Sequence, residues 1–123
     1  MIVSLPPALR IVTIADRGNS VNERIHFEVI RDCDLASYVV MATLEVSPGR
    51  IAAGFRPVYW FVSDQVKAGD HLILYTREGQ DGKDIRADGH RNHFFFWGVK
   101  GGTMFPTNAK VVLVEINQWV TGG

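Results

Sequence analysis

Turn-forming residues recur at short, even intervals along this chain and separate brief runs of β-branched and aromatic residues. The turn signals lie at Arg17–Ser20, Arg31–Asp34, Ser47–Arg50, Lys67–Asp70, Glu78–Asp84, Lys100–Gly102 and Pro106–Asn108. This spacing is typical of β-sandwiches and β-barrels. Because no segment has the apolar period of an amphipathic helix, the sequence predicts an all-β protein.

The runs between the turns are the predicted strands: Leu9–Ile14, Arg24–Ile30, Tyr38–Val46, Pro57–Val62, His71–Arg77, His93–Val99 and Lys110–Val120. Arg24–Ile30 alternates, with Ile25, Phe27 and Val29 on one face, as a half-buried antiparallel strand does. Tyr38–Val46 begins apolar on both faces, as expected of a central strand. Gly101 and Gly102 suit the positive φ angles of a two-residue hairpin turn.

The preferred architecture is a single domain over residues 1–123, an immunoglobulin-like antiparallel β-sandwich of about seven to eight strands. We expect flexible ends at residues 1–8 and 121–123.

Composition narrows the classes of function. Lys plus Arg and Asp plus Glu number 13 each, so the net charge is zero and a nucleic-acid partner is unlikely. Cys33 is the single cysteine, which excludes an internal disulfide and a thiolate-rich zinc site; neighbouring Asp32 and Asp34 disfavour its thiolate. The start lacks signal-peptide features and no run approaches the roughly 20 apolar residues of a membrane span. We therefore expect a cytoplasmic protein without a cofactor.

Three segments of the chain carry motifs of a known family: Asp34–Val40, Val66–Tyr75, and His93–Gly98 with Ala109–Val114. In this order they resemble the D-L-S-G-W-x-L element, the L-x-P-G-x-x-L-V-L strand and the closing strands of lamin tail domains. Order and spacing agree over about residues 24–116. The resemblance implies an immunoglobulin-like β-sandwich used for binding or scaffolding, with no catalytic centre of its own.

Two groups of polar residues suggest chemistry. Asp84, Asp88, His90 and His93 are possible metal ligands, and they motivate an alternative function as a small metal-dependent hydrolase. His90 and His93 would face opposite sides of one regular strand, so a solvated loop is the favoured interpretation. Asp32 and Asp34 could act as paired carboxylates, but the favoured interpretation is that both hydrogen-bond to backbone amides of the turn before Tyr38.

The aromatic residues are the stronger functional lead. Phe94 and Phe96 share one face of the strand His93–Val99, while His93, Phe95 and Trp97 share the other. A strand of a two-sheet sandwich has one inner face, so one aromatic set faces outward unless a loop such as Ile51–Phe55 covers it. The candidate binding residues are Trp60, Tyr75, Phe95, Trp97, Arg77 and Arg91.

These features favour a non-enzymatic module that binds a protein partner or itself as a homo-oligomer. An alternative is a carbohydrate or other small ligand stacked on Trp60, Tyr75 or Trp97. If Trp97 is an interface anchor, removing its side chain leaves the fold intact and weakens binding.

Overall fold

The computed structural model describes residues 5–48, 50–51 and 57–123, with the backbone alone at residues 45, 46, 50 and 51. Within these ranges the chain is built of strands joined by turns, with a 3₁₀ helix at Leu35–Ser37. The strands are β1 (Leu9–Ala15), β2 (Arg24–Val29), β3 (Cys33–Asp34), β4 (Tyr38–Ser47), β5 (Arg50–Ile51), β6 (Val58–Trp60), β7 (Gln65–Val66), β8 (His71–Tyr75), β9 (Gly82–Ile85), β10 (Arg91–Phe96) and β11 (Ala109–Glu115). The prediction of an all-β protein is confirmed.

One sheet has five strands in the order β1-β2-β8-β10-β9. Its pairs are antiparallel except β8 and β10, which run parallel. The parallel pair arises because β9 and β10 form a hairpin that places β10 between β8 and β9. This pair departs from the entirely antiparallel pairing that the sequence predicted.

The second sheet is centred on β4. β11 pairs with one side of β4, while β6 and β5 pair with successive parts of its other side. A separate short ladder joins β3 to β7. β4 is therefore a central strand, as its apolar start predicted.

The glycine turn before β11 connects the two sheets. Gly101 and Gly102 have φ angles of 88° and 75°, so the predicted positive φ angles are confirmed. The predicted hairpin is wrong, because β10 and β11 belong to different sheets. A side chain at Gly102 would overlap the backbone carbonyl of Ser20, so the chain can cross here only with glycine.

The core lies between the two sheets. The predicted inward set of β2, Ile25, Phe27 and Val29, is fully buried. Phe61 packs edge-to-face on Phe27 and Phe95, with ring centroids 6.0 and 5.1 Å apart. Aromatic side chains thus join the layers.

A bulge in β1 keeps its apolar residues on the core side. The register shifts between Ile11 and Thr13, which leaves Val12 as an extra, exposed residue. Ile11 and Ile14 both pack on the core as a result, although they are three residues apart.

The N-terminal end of the chain is held at Ala8. Ala8, the last residue of the end predicted to be flexible, is buried, and its N–H donates to the Tyr38 hydroxyl over 2.9 Å. Residues 1–4 lie outside the described residues. So do Gly49 of the predicted 47–50 turn and most of the predicted covering loop 51–55.

Candidate functional site

The six predicted binding residues do not form one surface. Trp60 is 42% exposed on the outside of the β4-centred sheet. Tyr75 and Arg77 lie together on the outside of the five-stranded sheet, and Arg91 is exposed at the start of β10. The predicted site is therefore divided between opposite sides of the sandwich.

Two of the predicted residues face the core. Phe95 is 4% exposed and packs against Phe61, so it lies on the inner face of β10 and not on an outward aromatic face. Trp97 is half-buried, and its ring centroid lies 5.9 Å from that of Tyr59. The strand alternates as predicted, but the His93–Phe95–Trp97 side is the inner one. Removal of the Trp97 ring is therefore expected to reduce stability as well.

The outward aromatic pair of the five-stranded sheet is covered by its own chain. Tyr75 and Phe96 stack with centroids 5.2 Å apart, and the Arg77 guanidinium lies 5.0 and 4.9 Å from the two centroids. Arg77 is held there by donating to the backbone carbonyl of Val21 over 2.8 Å. Gly79 lies so close to Phe96 that a Cβ atom would overlap the ring. Little of either ring face is left for a ligand.

The four predicted metal ligands are not brought together. Asp84 accepts a hydrogen bond from Asn92 Nδ2 over 2.9 Å, and Asp88 accepts from the backbone N–H of His90 over 3.0 Å. His93 points into the core instead. Within the described ranges, no three His, Cys, Asp or Glu side chains are arranged to hold a metal ion.

Sequence reasoning missed a buried histidine–aspartate pair. His93 Nε2 lies 3.0 Å from Asp70 Oδ2, and both side chains are at least 95% buried. Asp70 also accepts from the backbone N–H groups of Arg91 and Lys67, over 3.0 and 3.1 Å. Burial opposes ionisation of Asp70, but these three hydrogen bonds outweigh it and hold the pKa of the carboxyl below its ordinary value.

The second nitrogen of His93 has no hydrogen-bond partner among the described residues. Nδ1 is buried, and the Oδ2 atom of Asp64 is 3.9 Å away. The same Asp64 oxygen lies 2.8 Å from Lys83 Nζ, with which it forms an ion pair. A polar cavity of about 350 Å³ borders Asp70, with Lys67, His90 and Arg91 also in its wall. His93 is not part of that wall, and with 1% exposure it has no access to a substrate.

Asp32 and Asp34 both serve turns; the favoured interpretation, that they bind the turn before Tyr38, is confirmed for Asp34 and wrong for Asp32, which binds the 67–70 turn. Asp34 accepts from the Ala36 N–H and from Ser63 Oγ, both over 2.9 Å, and these bonds lower its pKa. Asp32 accepts from the Ala68 N–H over 2.8 Å, which lowers its pKa likewise. Burial, and next the charge of Asp34, raise the pKa of Cys33 to about 11, so its thiol stays protonated at neutral pH.

The outer side of the β4-centred sheet carries a row of apolar side chains. On β4 and β11 the residues that alternate with the core set point outward, and β6 and the C-terminal segment add to them. We define this apolar face as Val39, Met41, Val58, Trp60, Val112, Val114 and Trp119. Val58 is 55% exposed and Trp119 is 61% exposed. The predicted two-sided apolar character of the strand from Tyr38 was the sequence signal for it.

Trp60 is held rigidly within the apolar face. Its indole Nε1 donates to the Ala36 carbonyl over 2.7 Å. Trp119 packs against it edge-to-face, with centroids 5.0 Å apart and ring planes at 84°. The polar atom of Trp60 is thus satisfied, while the ring presents apolar surface to solvent.

Comparisons of the chain with protein-family models, with curated proteins and with solved structures found no match. In the part of the chain that the structure describes, none of the helical structure is long and apolar enough to cross a membrane. The role of the apolar face therefore has to be argued from its own geometry and chemistry.

Proposed function

We propose that this protein is a non-enzymatic β-sandwich module that binds protein, either a different partner or a second copy of itself, through the β4-centred sheet. The observation that carries the proposal is the apolar face, in which two tryptophans and four valines lie on the outside of a sheet. Contiguous exposed apolar surface is a frequent mark of a contact site. Tryptophan is also enriched at the centres of protein interfaces.

The rigidity of Trp60 supports this role. A side chain that is already fixed before binding loses little conformational entropy when a partner covers it. The hydrogen bond to Ala36 and the edge contact with Trp119 fix the ring in the free protein. Trp60 is therefore the residue we expect to anchor a partner.

The state of the titratable groups favours binding over catalysis. His93 and Asp70 are enclosed, and Asp32 and Asp34 are engaged by turns. A general acid or base must reach the proton that it transfers, which His93 cannot do from within the core. The resemblance to lamin tail domains, an immunoglobulin-like topology and a cytoplasmic location belong to the same proposal.

Carbohydrate binding is less well supported than protein binding. Sugar rings stack on open aromatic faces, but Arg77 covers Tyr75 and Trp97 is half-buried. Trp60 alone of the three predicted stacking residues remains open, and its neighbours Val39 and Val58 are aliphatic. Such surroundings suit a protein surface better than a polar sugar.

Affinity capture with paired variants tests the proposal. Val58→Lys places a charge within the apolar face, whereas Val12→Lys places one at the exposed bulge of β1, on the other sheet. We expect Val58→Lys to abolish capture of the proteins that the wild type retains, and Val12→Lys to leave capture unchanged. Light scattering after size exclusion reads self-association in the same samples. A wild-type protein that is strictly monomeric and captures nothing would overturn the proposed function.

A further inference from the structure

One edge of the β4-centred sheet is open. β11 pairs with β4 on one side, through seven consecutive residue pairs without a register shift. Ile116 N–H continues that ladder by donating to the Ser37 carbonyl over 2.7 Å. Since backbone groups alternate sides along an antiparallel strand, Lys110, Val112 and Val114 also bond to β4. Val111, Leu113 and Glu115 therefore turn their N–H and C=O groups away from it.

Ala109, at the start of β11, confirms this alternation. Its N–H donates to the Pro106 carbonyl over 2.8 Å, and its C=O accepts from Arg17 Nη1 over 3.0 Å. Neither group bonds to β4. The corresponding groups of Val111, Leu113 and Glu115 have no partner among the described residues, which leaves three donors and three acceptors for another strand.

Both edges of the five-stranded sheet are protected, whereas the β11 edge is not. β1 carries the bulge at Val12, and β9 is a four-residue strand whose side chains include Lys83 and Asp84. Bulges, short length and charged side chains are the usual means by which proteins prevent edge pairing. β11 is seven residues long and regular, with charged side chains only at Lys110 and Glu115.

Charge makes a second copy of this chain the fitting occupant. Arg17 and Glu115 lie at opposite ends of the open edge, and neither forms an ion pair within the described ranges. In a two-fold antiparallel pair centred on Val112, Glu115 of one copy lies opposite Ala109 of the other, where Arg17 is bound. Glu115 of each copy can therefore form an ion pair with Arg17 of the other, and the two-fold symmetry forms this pair twice.

We propose that β11 pairs with β11 of a second copy, with Val112 opposite Val112 and Val111 opposite Leu113. The pairing joins two β4-centred sheets into one and brings their apolar faces side by side. The inference rests on the proposed protein-binding function, for which it names one partner and one route. It uses the strand edge, whereas docking on the apolar face uses the side chains of Trp60 and Val58.

The test uses the fact that Val112 of one copy would lie opposite Val112 of the other. We expect the wild type to be a dimer by size exclusion with light scattering, and Val112→Lys and Val112→Glu each to weaken dimerisation at least about 100-fold, because like charges then face each other. An equimolar mixture of the two variants should recover the dimer, since Lys then faces Glu. As controls, Ile85→Lys and Ile85→Glu change a 72% exposed side chain on β9, at an edge of the five-stranded sheet, and both variants should remain dimeric.

Each outcome separates this inference from the proposed function. A wild-type monomer up to about 1 mM, or a dimer that Val58→Lys disrupts and the Val112 variants do not, overturns the edge pairing. Val58-dependent capture by a monomer would leave the proposed function in place.

If circular dichroism shows that the Val112 variants do not fold, Glu115→Lys replaces them. It is expected to weaken the dimer roughly tenfold, with Glu78→Lys on an exposed loop as the unaffected control.

Discussion

Two buried carboxylates, Glu23 and Asp70, organise the loops of the sandwich. Glu23 accepts from the backbone N–H groups of Gly18 and Met104, over 2.7 and 2.6 Å, and from Thr76 Oγ1 over 3.0 Å. Asp70 holds the start of β10 and the 67–70 turn in the same way. Buried carboxylates are stable only when such donors replace water. The two residues therefore fix loops that carry little apolar surface.

The first prediction concerns the acid stability that Asp70 confers. Its pKa is lower in the folded protein than in the unfolded chain, so unfolding favours proton uptake and the free energy of unfolding falls as pH decreases. The contribution is complete above the unfolded pKa, about 4, and is lost as pH falls through the lower folded value. Asp70→Asn should be less stable at pH 7 and should lose less stability between pH 5 and pH 3, measured by urea unfolding. An unchanged acid slope in the variant would contradict this assignment.

At the scale of elements, turns and register decide where the strands go. Asp34 caps the 3₁₀ helix that leads into β4, and the bulge at Val12 realigns β1 with the core. The crossing to β11 depends on Gly102, whose backbone lies against Ser20. Each of these features acts over a few residues but sets the path or the register of a whole strand.

The second prediction concerns Gly101 and Gly102, where a side chain would have two effects. One is the strain of a positive φ angle, and the other is steric overlap with Ser20. Gly101→Ala places a side chain at φ 88° in open space, so the backbone conformation alone should lower stability by about 1–2 kcal/mol. Gly102→Ala adds an overlap with the Ser20 carbonyl at a similar φ, and its loss should be clearly larger. Urea unfolding of both variants gives the comparison. Equal stabilities would show that Ser20 moves aside freely.

At the scale of the whole molecule, one core joins the two sheets. Phe61 lies at its centre, 2% exposed, and contacts Phe27 and Phe95 of the five-stranded sheet from the segment that follows β6. Both outer surfaces also contain apolar residues, but they differ: Arg77 covers the aromatic pair on one side, whereas the apolar face on the other is open. This asymmetry locates the proposed interface.

The third prediction tests the shared core. Phe61→Ala should lower the free energy of unfolding by about 3–5 kcal/mol, because it removes a fully enclosed ring between the layers. Val62→Ala is the matched control at the next position; Val62 is 60% exposed, so its loss should stay within about 0.5 kcal/mol. Intrinsic fluorescence and circular dichroism should report the same transition midpoint. Separate midpoints would show that the sheets unfold independently.

Local patterns were enough to predict much of this architecture. The alternation of Ile25, Phe27 and Val29, the central position of the strand from Tyr38, and the turn role of Asp34 depend on neighbours in sequence or on period-two geometry. The parallel pairing of β8 and β10 and the pair of His93 with Asp70 were not predicted. Both arise from contacts between residues about twenty positions apart, which no local pattern encodes.

The sequence by itself determined that this chain is all-β and that β10 presents aromatic side chains on both faces. Only the tertiary structure decided that His93, Phe95 and Trp97 face the core while Phe94 and Phe96 face outward. Period-two alternation is identical whichever face is buried, so the choice falls to the partners across the sheet. Here Phe61 packs on Phe95 and Asp70 binds His93, and these two contacts turn that side inward.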